Sequence, residues 1–123
     1  MISKEVKGMN ADRLIETFQE LVAIDSPTYG EKKIADYLTA RITVLGLHIK
    51  MDGAGEKLGG NCGNLCAFLR GNREGEPLLF CTHMDTVEPS SGKKAVIGSD
   101  GVIRSAGNTV LGADDAAGIA AIL

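Results

Sequence analysis

His83-Met84-Asp85 sets an imidazole and a carboxylate two positions apart, at the end of an apolar run that opens at Pro77. Side chains two apart on an extended chain point the same way. Both groups therefore face one space, and Met84 faces the other. Further along, Gly112-Ala113-Asp114-Asp115 puts two adjacent carboxylates just after a glycine turn, ahead of a small-residue run that can form a helix. One imidazole and several acidic oxygens gathered at one rim suit Zn²⁺ or a similar divalent ion. In such a site His83 would bind metal through one ring nitrogen. Asp85 could accept from the other ring N–H and fix the tautomer, as carboxylates behind metal-bound histidines do. Asp114 has two oxygens and could bridge two ions, and a two-metal centre activates water and polarises the bond under attack. Asp115 is read as the cap of the following helix. Taken singly these motifs say little: a lone His-x-Asp is common, and an Asp-Asp pair is usually a helix start. Their order, each at the end of an element, is what points to a metal.

The elements that must position these groups follow from periodicity. Residues 77–82 read as a short buried strand, of the kind found in parallel sheets covered on both faces. His83 and Asp85 then lie at the carboxyl edge, where open α/β folds hold their ligands. Upstream, Leu14, Ile15, Phe18, Leu21 and Val22 form a helical stripe, with Asn10 or Asp12 as cap and Pro27 as terminator. A second helix is expected over about 31–45, with Ile34, Tyr37, Leu38, Arg41, Ile42 and Leu45 on its stripe and Gly46 as its stop. Residues 47–51 alternate and read as a half-exposed strand that leaves His48 solvated. The glycine-rich stretch 52–63 lacks the context of a phosphate loop and reads as a flexible hairpin connection. Residues 64–70 form another strand, expected to pair antiparallel with 77–82 through the 71–76 turn. A small hairpin is expected around Asp100-Gly101. The fold class is α/β, a mixed sheet flanked by helices.

Composition narrows the function. The 123 residues suit about one domain, and 44% hydrophobic residues allow a core, although an aliphatic one because Trp is absent. A net charge of −3 argues against a nucleic-acid partner, which needs a basic face. No apolar run reaches the ~20 residues of a membrane helix, and the opening residues 1–7 carry charges where a signal peptide needs an apolar core. A cytoplasmic protein follows as the default. Three cysteines, Cys62, Cys66 and Cys81, are an odd count that favours free thiols, read as small buried hydrophobes.

His83-Met84-Asp85-Thr86-Val87 followed by Gly112-Ala113-Asp114-Asp115 resembles the two N-terminal signatures of the M20 family of zinc metallopeptidases. The likeness extends to Leu21-Val22-Ala23-Ile24-Asp25-Ser26 and to Asn64-Leu65. The wording from Thr109 to Asp115 resembles the peptidase T branch of that family. The resemblance implies a zinc-peptidase-like α/β/α catalytic domain that hydrolyses amide bonds with two zinc ions. It implies that His83 ligates one zinc, that Asp114 bridges both, and that Asp85 orients the site. It further implies removal of the N-terminal residue from short peptides, with tripeptides as the type substrate, and a homodimer as the usual assembly. Position 116 is Ala where the family often has Lys, which is not a ligand. The family's Glu-Glu pair, its remaining ligands and its lid domain would fall after residue 123. Residues 1–123 are thus read as the N-terminal portion of the catalytic domain, and the uncapped apolar ending at Leu123 as the mark of a piece. Such a piece would be inactive alone. The alternatives are another amidohydrolase of the same type (a dipeptidase, deacylase or desuccinylase) or a non-catalytic module.

Overall fold

The computed structural model describes Gly8 and residues 10–123; the charged opening residues 1–7 lie outside them. Its element order is α1 (Ala11–Val22), α2 (Lys32–Val44), β1 (His48–Met51), α3 (Ala54–Leu58), β2 (Leu65–Phe68), β3 (Ala95–Ile97), β4 (Ile103–Ser105) and α4 (Ala113–Ile122). The class is α/β, as the patterning implies.

Of the two candidate caps for α1, Asn10 serves. Its side chain accepts from the Arg13 N–H at 3.0 Å, satisfying one of the free donors of the first turn. The apolar stripe buries Phe18, Leu21 and Val22, and α1 lies against α4 through Ala116, Ile119 and Ala120. Small residues on α4 let the two helices approach closely. Helix α2 buries Ile34, Ala35, Leu38 and Ile42 and ends ahead of Gly46 at φ +75°. Leu45, placed on the same stripe from sequence, is instead 54% exposed, because the helix has ended and the chain is already turning.

The sheet pairing corrects one expectation. Strand β2 pairs antiparallel with β1, in the register His48↔Phe68 to Met51↔Leu65, and not with residues 77–82. The intervening glycine-rich stretch is a hairpin connection, but an organised one. It contains α3, and the Asp52 carboxylate ties its ends together by accepting from Ala54 N, Asn64 N and Asn64 Nδ2. These bonds, chiefly that from Asn64, hold the Asp52 carboxyl below its ordinary pKa.

Residues 77–82 join no sheet among the described residues, and Leu78, Leu79 and Phe80 are 84%, 87% and 69% exposed. An apolar run becomes a buried strand only when neighbours cover both its edges and faces. Here β2 has its partner in β1, and α1 faces α4. The same lack of cover corrects the reading of the thiols. All three are free, but Cys66 and Cys81 are exposed and only Cys62 is half-buried. The hairpin around Asp100-Gly101 forms as expected, with Ala95↔Ser105 to Ile97↔Ile103 in register and Gly101 at φ +78°.

One parallel bridge, Pro27↔Thr86, ties the end of the first helical segment to the residues after His83. The Thr86 N–H donates to the Ser26 carbonyl at 2.8 Å, and the Ser26 and Thr86 hydroxyls, both buried, lie 3.3 Å apart. That bridge fixes the segment carrying His83 and Asp85 against the helical layer.

Candidate metal centre

The chain leaves Thr86 toward Lys93 and returns through Gly112 to Asp114. Gly112 has φ +75°, a conformation L side chains rarely adopt. A Cβ there would also lie 3.2 Å from the Lys93 stem and from the Thr86 methyl. Lys93 is buried, and its Nζ donates to the Ile24 carbonyl at 3.1 Å. Burial pushes its ammonium below the usual lysine range, with Asp25 and Glu88 opposing. This closely fitted turn delivers Asp114 and Asp115 to the His83 rim.

Although α4 opens formally at Ala113, Asp114 (φ −94°, ψ 101°) and Asp115 (φ −124°, ψ 38°) are not helical, and the peptide bond between them is cis. Asp115 then acts as the cap expected of it, its Oδ1 accepting from Gly118 N at 3.0 Å. Its Oδ2 accepts from the Thr82 hydroxyl at 2.6 Å.

His83 and Asp114, 31 residues apart, converge. His83 Nε2 lies 2.9 Å from Asp114 Oδ1. On the opposite side of the ring, Nδ1 lies 3.1 Å from Asp85 Oδ1 and 3.0 Å from the Asp85 carbonyl. All three residues singled out from sequence are therefore brought together. His83, Asp114 and Asp115 can each offer a donor atom within 4.8 Å of the others. Both Asp115 oxygens, however, already serve Thr82 and the helix end. That leaves, among the described residues, His83 Nε2 and the Asp114 carboxylate, whose side chain is 94% exposed, as a donor pair bonded only to each other across the gap a cation would fill. The donor types fit zinc, but two donors do not close a zinc site. A cation here needs further ligands from outside the described residues.

The His83 imidazole is held protonated to higher pH than usual, first by its bond to Asp114, with partial burial opposing and the Asp85 carbonyl adding. A proton on Nε2 thus occupies the place a metal would take. A raised native pKa contributes stability that is present in full below the ordinary value near 6.5 and is lost as pH rises through the raised value. The metal-free protein is accordingly expected to lose thermal stability across that interval. His83→Gln should flatten the slope, as read by melting temperature against pH. A cation bound through that nitrogen would gain affinity over the same interval, because a metal needs the deprotonated form. Asp85 is shifted the other way: a hydrogen bond from Thr28 lowers its carboxyl pKa, and His83 assists.

Sequence reasoning missed the two hydroxyls that hold the carboxylates. Thr82 directly precedes His83, and the order 82–115, 83–114 shows adjacent residues bonding adjacent residues in reverse. Its polar character inside an apolar run was the available signal. Thr28, whose hydroxyl donates to Asp85 Oδ2 at 2.7 Å, lies 57 residues from its partner, and no local pattern marks it.

The chain is 41% identical over 114 residues to the uncharacterized protein YqjE of Bacillus subtilis, covering 93% of this chain and 30% of YqjE. Two solved structures match it: a tripeptidase from Staphylococcus aureus (41% identity, TM-score 0.89) and the aminopeptidase PepT from Bacillus cereus (42%, TM-score 0.88). Each match covers 93% of this chain and 31% of the solved one. No family model matches. The chain thus spans about a third of the length of each of these relatives, and over that span it has the α/β fold of the two solved peptidases.

Proposed function

We propose that this chain is the metal-binding portion of an M20-type, peptidase T-like aminopeptidase that removes the N-terminal residue from short peptides. The observation that carries the reading is the 2.9 Å approach of His83 Nε2 to Asp114 Oδ1, with Asp85 behind the other ring nitrogen at 3.1 Å. The peptidase names of the two solved neighbours, at over 40% identity, support the substrate class.

In this reading His83 would hold one zinc ion and the Asp114 carboxylate would serve both ions of a pair. When bound, the ions polarise the scissile carbonyl and lower the pKa of water. The chain's own residues prepare for that chemistry. Asp85 keeps a negative charge behind the imidazole and directs its lone pair outward through Nε2. Thr82 and Gly118 hold Asp115 back, so the two neighbouring carboxylates do not compete for one place. Because the free donors among the described residues number only two, the 123-residue chain alone is expected to be inactive, with the activity expected of the full-length protein.

The test is hydrolysis of tripeptides by the full-length protein. Chelation should abolish it, zinc should restore it, and His83→Ala should lower kcat/KM by at least about a hundredfold, the scale set by losses at metal-ligand shells. N-acylated amino acids belong in the same panel. Preference for them over free N-termini would replace the aminopeptidase reading with a deacylase one. Undiminished tripeptidase activity in His83→Ala would remove the metal role.

A further inference from the structure

The carboxylate of Asp85 turns about a soft terminal torsion with two broad wells. Its bond to His83 does not by itself fix the carboxylate plane, because the ring proton already has a second acceptor in the Asp85 carbonyl at 3.0 Å. Something else must keep the negative charge aimed at the ring. The Thr28 hydroxyl does so: it donates to Asp85 Oδ2 at 2.7 Å, which leaves Oδ1 facing His83 Nδ1 at 3.1 Å. A hydroxyl bonded to an ionised carboxylate at that length is among the stronger hydrogen bonds. Thr28 is not free to wander from this position. The Pro27↔Thr86 bridge and the buried Ser26–Thr86 pair clamp its segment to the residues that follow Asp85.

We propose that Thr28 is a positioning residue for the metal centre, acting through Asp85 to hold the His83 ring in the orientation that aims Nε2 at Asp114. The chain of contacts runs from the Thr28 hydroxyl to Asp85 Oδ2, through the carboxylate to Oδ1, and on to His83 Nδ1, leaving Nε2 directed at Asp114. The role in metal binding rests on the function proposed above; the hold on the imidazole does not. Thr28 is exposed, so removing its hydroxyl leaves the core untouched.

The experiment compares the full-length wild type with its Thr28→Val, Thr28→Ala and Thr28→Ser variants by two readouts. The first is the Nδ1–H proton resonance of His83 in the metal-free protein, assigned by its disappearance in His83→Gln. The second is zinc affinity by chelator competition. Thr28→Val and Thr28→Ala are expected to move the Nδ1–H resonance upfield and weaken zinc about tenfold, the lower end of the effect of outer partners of metal ligands. Thr28→Ser should restore both, with melting temperatures alike throughout. Wild-type resonance and affinity in Thr28→Val and Thr28→Ala, or failure of Thr28→Ser to restore them, would overturn the assignment. If wild type binds no zinc, the metal-centre reading fails, and the resonance alone still decides whether Thr28 governs His83.

Discussion

On the proposed two-zinc function, Asp114→Ala in the full-length protein is expected to lose both ions and, with them, tripeptidase activity by about a thousandfold or more. The size follows from what metal ions supply. Stabilising developing charge amounts to several kcal/mol, and each ~1.4 kcal/mol is a factor of ten in rate. The fold should not suffer, because the Asp114 side chain is 94% exposed and its only hydrogen bond to another side chain among the described residues is to His83. The neighbouring carboxylate supplies the contrast. Asp115→Ala removes a helix cap and the Thr82 bond, at a cost of about 1 kcal/mol of stability. It should leave the zinc count unchanged. Metal analysis, steady-state kinetics and melting temperature on the two variants separate a ligand from a cap. Equal zinc content in Asp114→Ala and wild type would contradict the bridging role.

Gly63→Ala is expected to cost about 3 kcal/mol, the upper part of the range for forcing extra atoms into a filled space. A Cβ at Gly63 would stand 2.0 Å from the Asp52 carbonyl oxygen and 2.5 Å from its Oδ1. Neither atom can retreat cheaply. The Asp52 N–H donates to the Asn64 carbonyl at 3.1 Å, and its carboxylate accepts three further bonds that close the β1–β2 connection. In a chain of this size such a loss lowers the melting temperature by roughly 10 °C. Gly53→Ala is the matched control: its φ of −96° suits any residue, and a Cβ there meets nothing within 4 Å. Calorimetry of the two variants should show a large fall for one and little change for the other. Equal melting temperatures would mean that the connection yields where the Asp52 bonds say it is closed.

Local signals were legible in the sequence; choices among distant partners were not. The stripe from Leu14 to Val22 and the Asp100-Gly101 turn form the elements their spacing implies, because helix period and turn chemistry act over a few residues. The convergence of the candidate side chains was legible for a related reason. His83 and Asp85 share a side through simple alternation, and Gly112 followed by Asp114 and Asp115 reads as a turn that releases a helix. The capping role of Asp115 needed only that local geometry. Strand pairing is different. Nothing in residues 64–70 states whether they pair with 47–51 or with 77–82, and the structure takes the former. The apolar character of Leu78, Leu79 and Phe80 marks them for burial, but burial depends on cover the described residues do not provide. Thr28 stayed hidden because its chemistry begins only when the Pro27↔Thr86 bridge brings it to Asp85.

Anomalous diffraction at the zinc edge, from crystals of the full-length protein grown with zinc, tests the central claim most directly. Two peaks are expected, one at bonding distance from His83 Nε2 and both at bonding distance from the Asp114 carboxylate, with Asp85 still on Nδ1. Peaks elsewhere, with His83 and Asp114 still bonded to each other, would contradict the assignment.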